Sequence, residues 1–87
     1  MQQNPKIKKL LIRVVNNQIR YNNPAETKKT LDRLVSEGYS QQKAKELIAS
    51  VVMAHIYSIM QTETAFDEAL YVRQLQELPK LPVDQDE

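Results

Sequence analysis

Between residues 44 and 60 the chain repeats in steps of three and four: Ala44, Leu47, Ile48, Val51, Val52, His55, Ile56, Ile59 and Met60. That is the period of one helix face. Ala49, Met53 and Tyr57 add apolar surface on a second side, so the stripe widens towards its C-terminal half. A helix apolar around most of its circumference is expected to be covered by neighbours. The pattern therefore predicts a central hydrophobic helix over about 41–60, with Leu47, Val51, Ile56 and Ile59 in the core.

The flanking segments carry narrower stripes. Asn4-Pro5 reads as an N-cap followed by proline at the first helical position. Ile7, Leu10, Leu11 and Val14 then share a face, widened by Ile12, Val15 and Ile19. A hairpin turning at Asn16-Asn17 competes for residues 10–21, because β-branched residues flank the two asparagines. Asn23-Pro24-Ala25-Glu26 reads as a capping box opening a second helix that runs to about Glu37. That helix is expected to bury Leu31, Leu34 and Val35, with Thr27 as a further candidate. Gly38 suits its left-handed end. Ser40 is expected to cap the central helix, with Tyr39 stapling back on Ala44. Residues 61–65 read as a loop, and Asp67 as the cap of a last helix burying Tyr71, Leu75 and Leu78, beside Leu70 and Val72. Pro79 and Pro82 close the pattern. The expectation is an all-α, compact four-helix bundle: one domain over 1–78, then a Pro-containing acidic tail over 79–87 without fixed structure.

Composition narrows the chemistry. Eighty-seven residues make one domain of modest core. The single Gly argues against phosphate-cradling loops, and the absence of Cys excludes disulfides, thiolate nucleophiles and Cys-based metal sites. With no apolar run of signal-peptide or membrane-span length, a cytoplasmic, soluble chain is expected. The net charge is +1, but it is unevenly spread. Residues 1–22 hold Lys6, Lys8, Lys9, Arg13 and Arg20 and no acid, whereas 61–87 hold seven acids (Glu63, Asp67, Glu68, Glu77, Asp84, Asp86, Glu87) against Arg73 and Lys80. Either the two ends attract each other, or the first helix offers a basic face to an anionic partner.

The order Asn4-Pro5, Gln18, Pro24, Leu31–Gly38, Ala44, Tyr57, Asp67 and Tyr71 resembles a family of small bacterial helical proteins of unknown function, over roughly residues 4–78. The resemblance implies a helical fold. It also implies paired histidines four apart on the first helix, an acid just before the Gln, and a His-x-x-x-Glu on a later helix, a set suited to a metal between facing helices. In this chain those positions are Lys8 and Ile12, Asn17, and Glu46 and Ser50. Of these only Glu46 is an ordinary metal ligand, so the resemblance argues against a metal site here.

His55, the one histidine, lies within the apolar stripe. It reads as a partly buried, hydrogen-bonded side chain; acid–base work would need a partner such as Glu63 or Asp67 across a cleft. Ser36, Ser50 and Ser58 lack any nucleophile-elbow spacing, and Ser40 is accounted for as a cap. The expected function is a non-catalytic interaction or assembly module, with a protein partner or a second copy bound through Ala49, Met53 and Tyr57. The alternative is weak nucleic-acid binding through Lys6, Lys9, Arg13 and Arg20. A degenerate metal-binding helical protein is the third reading. No cofactor and no membrane partner is expected.

Overall fold

The computed structural model describes residues 5–82. Four helices follow one another: α1 (Pro5–Tyr21), α2 (Ala25–Ser36), α3 (Gln41–Thr62) and α4 (Glu68–Glu77). The all-α bundle around a central helix is thus observed, and residues 10–21 are helix rather than hairpin. The expected cap Asn4 and the acidic end 83–87 lie outside the described residues.

Local chemistry sets most boundaries. Asn22 takes the left-handed conformation at the end of α1 (φ 53°), which Asn tolerates better than most residues. The backbone N–H groups of Asn22 and Asn23 then return to the carbonyls of Ile19 and Gln18. Asn23 is thereby committed to closing α1, and it does not cap α2. The N-cap of α2 is Pro24, extended at φ −78°, ψ 153° and with no side-chain acceptor to offer. The expected capping box is therefore not formed. At the other end of α2, Gly38 sits at φ 109°, and the Tyr39 N–H reaches back to the Leu34 carbonyl at 3.1 Å. This is the left-handed closure that glycine favours. Ser40 accepts from the Lys43 N–H at 3.0 Å, and Asp67 accepts from the Leu70 N–H at 3.1 Å, so both of these caps are as expected. Helix α3 runs past Met60 to Thr62 and ends where Glu63 turns left-handed at φ 56°, its N–H on the Ile59 carbonyl.

The core gathers Val15 from α1, Leu31 and Leu34 from α2, six residues of α3 (Ala44, Leu47, Ile48, Ala49, Val51, Val52), and Tyr71 and Leu75 from α4, with Leu78 just beyond it. Each large aliphatic side chain enclosed in this way contributes about 1.5–3 kcal/mol relative to exposure. Tyr39 packs against the core as a partly buried residue, and so does Leu81. The chain is therefore still attached to the bundle at Leu81, and the expected unstructured segment does not begin at residue 79. Val35, expected in the core, is 39% exposed, because the buried line of α2 runs through Thr27, Thr30, Leu31 and Leu34 instead.

Two further core expectations fail at the far end of α3. Ile56 is 40% exposed and Ile59 only half-buried. The reason is length: α3 extends about 33 Å, whereas α2 and α4 extend about 18 Å and 15 Å. Lys8 meets Glu46 near the start of α3, and farther along α1 Gln18 meets Tyr71, whose ring abuts His55. Helices α1 and α3 thus run in broadly the same sense. Helix α4 folds back across one side of the distal half of α3 and leaves its other side open.

Candidate interaction surface

His55 is 6% exposed, and its Nε2 lies 2.7 Å from Gln74 Oε1. A carbonyl oxygen only accepts, so the imidazole donates from Nε2. The rings of Phe66 and Tyr71 approach it edge-on, with centroids at 5.7 and 5.3 Å. Neither Glu63 nor Asp67, the expected partners for acid–base work, is among these contacts. The polar cluster continues through Tyr71, whose hydroxyl donates to Gln18 Oε1 at 2.8 Å, an oxygen that also accepts from Thr27 at 2.8 Å. Burial pushes the Tyr71 pKa above its ordinary value, against the hydrogen bonds to Thr27 and Gln18 that lower it. One amide oxygen thus ties α1, α2 and α4 together. Near the opposite end of α2, Arg33 donates to the carbonyls of Leu75 and Gln76 and to Glu37, placing a cation at the C-terminal end of α4. Nothing in the periodicity announces these long-range polar ties.

Two of the positions singled out by the family resemblance, Lys8 and Glu46, face each other. Lys8 Nζ lies 2.9 Å from Glu46 Oε2 across the α1–α3 contact, and Lys8, Lys9, Ile12 and Gln42 line an adjoining surface groove of about 350 Å³. The bond from Lys8, then that from Gln42, holds the Glu46 carboxyl below the usual carboxylate range. Asn17 and Ser50 are exposed, and the Ser50 hydroxyl is turned onto the Glu46 carbonyl. Among the described residues, no three His, Cys, Asp or Glu side chains gather to hold a metal ion. Lys6, Lys9, Arg13 and Arg20 are all exposed on α1.

The expected contact set on α3 divides. Ala49 is 6% exposed and belongs to the core, so it is not available to a partner. Met53 and Tyr57 are 39% and 65% exposed, and they align with Ile56 and with Met60, which is 74% exposed. Positions 53, 56, 57 and 60 follow i, i+3, i+4, i+7 and form a single stripe. Along the helix itself the stripe carries no charge: no Asp, Glu, Lys or Arg occurs from Leu47 to Thr62. The apolar spacing groups Ile56 and Met60 with the enclosed face of the helix, because spacing alone does not say which face a partner helix covers. No family model, no curated protein and no solved structure matches this chain.

Proposed function

We propose that this protein is a non-catalytic interaction module whose working surface is the distal stripe of α3, Met53, Ile56, Tyr57 and Met60, and that a second copy of the chain is its first partner. The exposure of these four large apolar side chains on one helix face carries the reading. Together they leave on the order of 400 Å² of side chain in water, a patch of the size that marks contact sites on small proteins. Two methionines and a tyrosine supply adaptable apolar contact with one polar tip. A charge-free stripe pairs with its own copy without like-charge repulsion, as an isologous contact requires. The area falls short of the roughly 800 Å² per partner of a standard stable interface, so the association is weak and concentration-dependent. The imidazole of His55, engaged with Gln74 and two rings, serves packing in this reading, and no catalytic role is assigned to it.

The test is light scattering on gel-filtered protein over a concentration series, with wild type beside Tyr57→Asp. Rising mass for wild type, and monomer throughout for the variant at unchanged helicity, supports the proposal. A wild-type monomer at every concentration removes the self-association.

A further inference from the structure

Helix α1 presents a second surface of different chemistry. Its outward side carries Lys6, Lys9, Arg13 and Arg20, all exposed, and no acid interrupts residues 5–21. Beside these cations stand Ile7, 43% exposed, Leu10, 57% exposed, and at the helix end Tyr21, 68% exposed. The spacings 7, 10, 21 and 6, 9, 13, 20 each follow a helix face, and at 100° per residue the two lines lie side by side about a quarter-turn apart. Both border the direction opposite Val15, the fully buried residue of α1.

We infer that this face of α1 docks on an anionic lipid bilayer, lying in the plane of its surface. Three observations select that occupant. The cations demand a negatively charged partner, which a second copy of the same face does not supply. The exposed Ile7 and Leu10 demand an apolar phase next to that charge, which a phosphodiester backbone does not offer and a headgroup–acyl boundary does. Tyr21, with an apolar ring and a polar hydroxyl, suits the level of the headgroups. The expectation of no membrane partner rested on spanning segments. Indeed no described helix is long and apolar enough to cross a membrane, but docking in the interface requires none.

The experiment is co-sedimentation of the full chain with vesicles of phosphatidylcholine doped with phosphatidylserine, against pure phosphatidylcholine, at low and high salt. Binding is expected only to the anionic vesicles and is expected to fall with salt. Arg13→Glu and Lys9→Glu each weaken it by about fivefold or more, the factor that about 1 kcal/mol per basic residue implies. Leu10→Ser, which leaves the charge of the face as it is, weakens it by at least tenfold. These substitutions are at exposed positions, and circular dichroism checks that each variant is folded. No binding to anionic vesicles at low salt overturns the inference. So does binding that is indifferent to Leu10→Ser, or tighter binding to a random oligonucleotide than to the vesicles; either result would make the face a reader of phosphate charge alone.

Discussion

The two halves of α3 are built from similar residues and meet different fates. Over Gln41–Val52, Ala44, Leu47, Ile48, Ala49, Val51 and Val52 are all buried; over Met53–Thr62, only His55 is. Ala49 and Ile56 make the point in one pair. Seven residues apart, they occupy nearly the same angular position on the helix. Yet the alanine is 6% exposed and the larger, more apolar isoleucine 40%. Intrinsic hydrophobicity therefore does not decide burial here. What decides it is where the shorter helices end, and apolar residues that outrun their cover become surface.

The sharpest way to break that comparison is to truncate the same residue type in each half. Ile48→Ala, at a fully buried site, is expected to cost about 2–5 kcal/mol through lost burial and the cavity left behind, whereas Ile56→Ala costs under about 1 kcal/mol. Urea denaturation of both variants measures the gap, and equal losses would mean that the distal half is covered after all. A smaller effect probes the polar tie that anchors α4 on the covered side. Gln18→Leu strands the hydroxyls of Thr27 and Tyr71 and is expected to cost about 1–3 kcal/mol. If the variant melts with wild type, Gln18 does not hold three helices together.

The two expected N-caps, Ser40 and Asn23, give a contrast of their own. Ser40→Ala should lose about 1 kcal/mol by removing a formed cap, and Asn23→Ala should lose markedly less, since Asn23 caps nothing. Thermal melts of the pair decide this. Thr30 works in the opposite direction. Its hydroxyl is buried without a hydrogen-bond partner, so Thr30→Val is expected to stabilise by up to about 1 kcal/mol.

The smallest effect concerns the α1–α3 pair. The Glu46 carboxyl is held below its ordinary value of 4.5, so the folded state binds that proton less readily than the unfolded chain does. Its contribution is present above that ordinary value and is lost as the pH falls through the lower folded-state value. Stability measured against pH should therefore fall slightly less steeply on the acid side for Glu46→Gln than for wild type, and at this exposed pair the difference stays small.

These contrasts also mark what a reader of the sequence alone can recover. Gly38, Ser40 and Asp67 act through neighbours within four residues, and each boundary they set was legible. Asn23 was misread because its backbone is engaged by α1, five residues upstream, a competition that local motifs do not record. The buried threonines of α2 and the Gln18–Tyr71 bond depend on helices brought together from distant parts of the chain. The surface on α3 is half legible: Met53 and Tyr57 are exposed as expected, Ala49 is buried instead, and Ile56 and Met60, counted with the enclosed face, are exposed. Periodicity reports how many faces are apolar. It does not report which of them a ten-residue helix reaches far enough to cover.

The central claim, an uncovered apolar stripe that meets its own copy, is tested most directly by the rate at which peroxide oxidises Met53 and Met60, followed by mass spectrometry across protein concentrations. The account predicts ready oxidation of both in dilute protein, Met60 faster than Met53, and slowing of both as concentration rises. Slow oxidation even at high dilution would show the stripe to be covered within the chain, and fast oxidation at every concentration would show it to be open but unpaired. Either result contradicts the account.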